Sequence, residues 1–157
     1  MKKIISHILV LSLLLITSCG FRVLNQNELN NFNIIKIETS GDKRINFKIK
    51  NTLATQAQRN SNNNIEIKFS TQKNKSIKEK NIKNEITKYN IHLNSLGEFN
   101  FANQNKKMKF NVKVSGYYLV ANNYSTTLAN EKSLINSLIE DLSKKILNEI
   151  NLILNDS

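Results

Sequence analysis

The chain has 157 residues, 23 lysines and arginines against 12 aspartates and glutamates, a formal net charge of +11, one cysteine and no proline. That length supports one hydrophobic core and one domain, and a lone thiol excludes an internal disulfide framework. Clustered His, Cys or carboxylate ligands are missing from the pattern, which argues against a metal centre.

The first element is a leader. Met1-Lys2-Lys3 is basic, Ile4 to Leu15 is apolar, and Ile16-Thr17-Ser18-Cys19 follows. The apolar run suits a signal h-region and falls short of the roughly 20 residues a membrane span needs. The small residues Thr17 and Ser18 let a peptidase close over the bond before Cys19. We therefore read residues 1–18 as a lipoprotein signal peptide and Cys19 as the lipidated residue. Acylation also removes the liability of a lone thiol in an exported protein. The competing reading is an ordinary secretory signal, or an uncleaved anchor, with a cysteine nearby.

Removing 18 residues, two lysines among them, leaves 139 residues and a charge of +9. Export changes what that charge means. In the cytosol it would point to nucleic acid. In the envelope it points to anionic lipid, phosphorylated glycolipid or acidic protein, with no nucleic acid. Twenty lysines against three arginines, with abundant asparagine, also fit a drifting composition, so both origins of the charge stay open.

Residues 19–32 are polar and asparagine-rich and read as a lipidated tether, and residues 33–157 as a single domain. From Cys19 to Asn33 the tether reaches at most about 45–50 Å when extended. Residues 33–39 alternate as a strand, with Ile35 and Ile37 on one side and Lys36 and Glu38 on the other. Ser40 or Asp42 supplies an N-cap for a helix over residues 42–59, in which Ile45, Ile49, Leu53 and Ala57 recur every fourth residue. Residues 64–72 form the next strand, with Ile65, Ile67 and Phe69 inward. The lysine-rich residues 73–83 read as a solvated loop, with a hairpin tip or long strand ends as the alternative. Residues 84–101 alternate again: Tyr89, Ile91 and Leu93 face one way, and Lys88, Asn90, His92 and Asn94 the other. Gly97 suggests a turn or bulge there. Residues 107–121 place Met108, Phe110, Val112 and Val114 inward, with Lys107, Lys109, Asn111 and Lys113 outward. A long terminal helix spans residues 124–155. Its stripe is Ile135, Leu138, Ile139, Leu142, Ile146, Ile150 and Ile153, and its start is the weakest part of the pattern.

The order is therefore β-α-β-β-β-α. The economical fold is α+β: a two-layer sandwich of two helices on a four-stranded, mainly antiparallel or mixed sheet. Its other sheet face is polar and lysine-bearing.

Catalytic chemistry has little to build on. The mature chain keeps one histidine, His92, on a polar strand face, and no triad signature surrounds it. The four glycines are scattered, so no phosphate-cradling loop forms. We expect no enzyme, no cofactor and no metal. The candidate anion-binding residues are Lys107, Lys109 and Lys113, which share a strand face, with Lys88 from the neighbouring strand. A merely solubilising face is the alternative.

Cys19-Gly20-Phe21-Arg22 opens the mature chain in a way that resembles the LPS-assembly lipoproteins, in an alphaproteobacterial-like style. The β-α-β-β-β-α order, the Asp42-Lys43-Arg44 helix entry and Tyr124 before the terminal helix are similar too. Val23 departs from the expected proline. The resemblance implies a lipid-anchored protein on the periplasmic face of the outer membrane. It implies that the chain plugs a large β-barrel partner, helps assemble this lipopolysaccharide translocon, and binds lipopolysaccharide on its way to the surface. A free-standing envelope lipoprotein that binds anionic lipid or an acidic protein is the second reading.

Overall fold

A computed structural model describes residues 32–57, 61, 63–102 and 106–155. Its elements follow the expected order: β1 (Asn33–Gly41), α1 (Lys43–Gln56), β2 (Asn64–Lys80), β3 (Ile86–Phe101), β4 (Lys106–Leu119) and α2 (Tyr124–Asn155). The sheet runs β1-β2-β3-β4, with β1 parallel to β2 and the other pairs antiparallel. Both helices pack on one face, so the fold is the mixed-sheet, two-layer sandwich that the alternating strands and striped helices require. The leader, Cys19 and the tether to residue 31 lie outside the described residues, as do residues 58–60, 62, 103–105 and 156–157.

The core is built from the alternating positions. Ile65, Ile67 and Phe69 of β2, Ile91, Leu93 and Phe99 of β3, and Phe110, Val112 and Val114 of β4 meet Ile45, Ile49 and Leu53 of α1. Leu138, Ile139, Leu142, Ile146 and Ile150 of α2 close the layer. Each such aliphatic side chain stabilises the fold by about 1.5–3 kcal/mol on full burial. Phe99 stacks on Phe110 at 4.4 Å. Two buried hydroxyls keep partners: Thr71 Oγ1 donates to Ser95 Oγ at 3.3 Å across the β2–β3 pair, and Ser143 Oγ donates to Ile139 O at 2.8 Å. Phe32, assigned from sequence to the end of the tether, is fully buried, so packing begins one residue before β1.

Several expectations change. A register shift between Ile34 and Lys36 turns Ile35 outward, 50% exposed, and puts Ile34 with Ile37 against the core. Strict alternation from Asn33 missed this, because a bulge reverses side-chain parity. Helix α1 starts at the Asp42 cap, whose Oδ1 accepts the Arg44 and Ile45 N–H groups, and ends at Gln56, three residues short of Arg59. The expected irregularity at Gly97 is absent, for pairing runs unbroken from Phe99 to Ser95 against both neighbours. Gly97 serves packing instead: a Cβ there would lie 2.3 Å from Lys68 O and 2.7 Å from both Phe110 and Phe69. Met108, expected inward, is half exposed near the start of β4.

The largest change is in residues 73–83. The alternative of long strand ends and a hairpin tip holds over the solvated loop: β2 continues to Lys80, paired with β3 as far as Ile86, and residues 81–84 turn between them. Alternation is lost there because every side chain from Gln72 to Lys80 is exposed, on both faces of the sheet. Seventeen residues at 3.3 Å make β2 about 55 Å long. The chain enters the sheet beside Asn64, so the hairpin tip stands at the far end from the tether. Helix α2 is regular from Tyr124, where Asn123 Oδ1 accepts the Thr126 N–H at 2.7 Å.

Candidate functional site

Lys107, Lys109 and Lys113 share the sheet face away from the helices, as period two requires, and all three are exposed. They sit on the edge strand β4, opposite Asn100, Glu98 and Asn94. At Lys107 the surface is mixed in sign, since a cleft there also gathers Lys36, Glu38, Glu66, Lys68 and Glu98. Lys88 faces the same side but lies opposite Leu119, six residues along β3 from Asn94, a separation of about 20 Å. Lys107 lies as far from Lys113 in the other direction, so the four predicted lysines are strung along the sheet and do not form one cluster. Lysines on an open edge strand also discourage strand-to-strand aggregation, which accounts for part of their presence on β4. His92 lies on the same open face with a ring nitrogen 2.8 Å from Asn90 Nδ2. Among the described residues no three His, Cys, Asp or Glu side chains are grouped to hold a metal.

What the sequence did not reveal is an aromatic and basic end. All four tyrosines of the chain lie there: Tyr89 on β3, Tyr117 and Tyr118 on β4, and Tyr124 opening α2. On the helix side, Tyr89 and Tyr118 stack at 5.7 Å. Lys75 Nζ sits 4.4 Å from the Tyr89 ring centre and 5.2 Å from that of Tyr118, and is 2.7 Å from Glu131 Oε2. Tyr118 donates its hydroxyl to the same carboxylate oxygen at 2.8 Å. On the open side, Lys78 Nζ lies 3.5 Å above the Tyr117 ring, and Lys88 is 5.8 Å away. Such cation–π contacts contribute about 0.5–1 kcal/mol each at exposed sites.

The charges here are tuned by their neighbours. Burial pushes the Glu131 carboxyl up, but hydrogen bonds from Lys75 and Tyr118 outweigh it and hold the group below the usual carboxylate range. Burial lowers Lys75 and the Glu131 contact raises it, for a net rise. Tyr118 is raised, first by burial. Lys88 is raised by its 2.6 Å pair with Glu79, which is lowered by Lys88 and by the Thr87 hydroxyl. Beyond these pairs the hairpin carries Lys73, Lys80 and Lys83, with Ile82 fully exposed at its apex. The sequence held one signal for this grouping: four tyrosines and a lysine run. Only the β2–β3–β4 register brings them together.

Among the described residues no helix is long and apolar enough to cross a membrane. No family model matches the chain, and no curated protein matches its sequence. Solved structures do match. The rare lipoprotein B of Shewanella oneidensis superposes with a TM-score of 0.60 at 9% identity, over 77% of this chain and 97% of that one. Lipoprotein B of Nitrosomonas europaea gives 0.58 at 11% identity, over 87% and 93%. A Caulobacter crescentus CB15 protein described as a lipoprotein gives 0.55 at 14%, over 83% and 95%. At these identities the likeness is one of fold, and the chain has the fold that these lipoproteins share.

Proposed function

We propose that this chain is a lipid-anchored subunit of an outer-membrane lipopolysaccharide translocon. In this reading Cys19 holds it to the periplasmic face of the outer membrane. The domain plugs a large β-barrel and helps it assemble, and it binds lipopolysaccharide during delivery to the surface. One observation carries the reading: a chain that opens with a lipidation signal and Cys19-Gly20-Phe21-Arg22 folds as lipoproteins do. The surface chemistry supports it. A phosphorylated, carboxylated glycolipid meets Lys107, Lys109 and Lys113 on the open sheet face, and Lys78 and Lys88 with Tyr117 at the hairpin end.

The test is isolation of the lipidated protein from detergent extracts of the envelope. A barrel protein several times its size should accompany it. Recovery of the lipoprotein alone would favour the second reading, a free-standing lipoprotein that binds anionic lipid or an acidic protein. That reading also requires salt-sensitive binding to anionic vesicles and unchanged surface lipopolysaccharide on depletion.

A further inference from the structure

Strand β1 ends at Gly41, opposite Thr71, whereas β2 continues to Lys80. Residues 72–80 thus pair with β3 on one side and, among the described residues, with no strand on the other. The alternation of the ladder identifies the open groups. Thr71 O accepts the Asp42 N–H at 3.1 Å, so the Thr71 backbone points toward β1. Every second residue points the same way, which turns the N–H and C=O of Lys73, Lys75 and Ile77 into the lane that β1 vacates. The chain leaves this lane because Gly41, at φ +91°, turns it and Asp42 caps α1.

Charge selects the occupant. The β2–β3 hairpin carries Lys73, Lys75, Lys78, Lys80 and Lys83 against Glu79 and Glu85, and Lys43 and Arg44 open α1 at the mouth of the lane. Glu79 is engaged by Lys88, Glu85 by Asn81, and Lys75 is itself paired with Glu131, which leaves Lys73, Lys78, Lys80 and Lys83 as the excess charge. A second copy would set lysines against lysines, and the irregular register after Ile77 twists the edge away from such pairing. We propose that residues 72–77 are a docking edge for an extended acidic segment of a protein partner, which adds as a fifth strand in the lane vacated by β1. This goes beyond the translocon reading, since it requires neither lipopolysaccharide nor a barrel.

The probe is a synthetic peptide of alternating glutamate and valine, long enough to cover residues 72–80, added to the full lipidated chain in detergent. Amide hydrogen exchange should slow at Lys73, Lys75 and Ile77. A lysine–valine peptide should give no protection, and alternate N-methylation of the acidic peptide should abolish it. Lys73→Pro removes an N–H that faces the open lane, where an edge strand tolerates proline, so the fold persists. That variant should bind the acidic peptide about tenfold more weakly, since it loses one backbone hydrogen bond and one lysine charge. Lys73→Glu should weaken it similarly through charge alone. Equal protection by the lysine peptide, protection confined to β4, or unchanged affinity in both variants would overturn the proposal. So would amides at 73, 75 and 77 already protected in the peptide-free chain, whether by its own residues 19–31 or by a second copy.

Discussion

Gly97 and Glu131 show how single residues set local structure here. At Gly97 the constraint is contact: backbone and two aromatic side chains occupy the space a Cβ would need. Gly97→Ala should lower stability by about 1–3 kcal/mol through overpacking, read as a lower midpoint in urea unfolding. An unchanged midpoint would show that β2 and β3 separate freely at this point. Glu131 is a matter of charge. Its carboxyl is held below its ordinary value, so its contribution is fully present above the unfolded pKa and fades as pH falls through the folded one. Glu131→Gln should therefore be less stable than the parent at pH 7, and the gap should narrow as the buffer is acidified toward pH ~3. A gap that holds constant with pH would remove ionisation from the account.

At the scale of elements, α2 carries the plainest pattern. The stripe through Leu138, Leu142, Ile146 and Ile150 is buried as its spacing requires, and Leu147 joins it. Leu138 packs near Gly116, whose missing side chain leaves room for Leu134 and Leu138 against β4. Leu138→Ala should cost about 2–5 kcal/mol in equilibrium unfolding, and a cost near zero would contradict this helix register. Helix α1 is held to α2 partly by Lys48 Nζ donating to Asn136 Oδ1 at 2.6 Å, a contact 88 residues apart that no local pattern encodes. The strands were legible wherever one face is buried. At residues 73–83 both faces are wet, alternation disappears, and a paired strand looks like a charged loop.

The whole molecule is an elongated, polar-ended body. One end receives the tether and buries Phe32, and the other carries the tyrosines, lysines and the exposed Ile82. The open sheet face between them bears Lys107, Lys109 and Lys113. Replacing these three by glutamate should leave the fold intact, because all are exposed, and should weaken lipopolysaccharide binding by about tenfold, or 1.4 kcal/mol. Circular dichroism checks the fold, and titration with lipopolysaccharide checks affinity. Unchanged affinity would assign these lysines to solubility and edge protection, and would move the binding role to the hairpin end.

The sequence by itself determined the element order, the inward positions of most strands, the stripe of α2 and the two-layer sandwich. Each follows from local periodicity against a single buried face. Period two also puts Lys107, Lys109 and Lys113 on one face of β4. Tertiary structure alone decided the rest: the bulge at Ile35, the true length of β2, the spread of the four lysines along the sheet, and the meeting of Lys75, Tyr89, Tyr118 and Glu131. These depend on strand register and on which segments a helix leaves uncovered. Neither is written in local spacing, because register is fixed by partners tens of residues away.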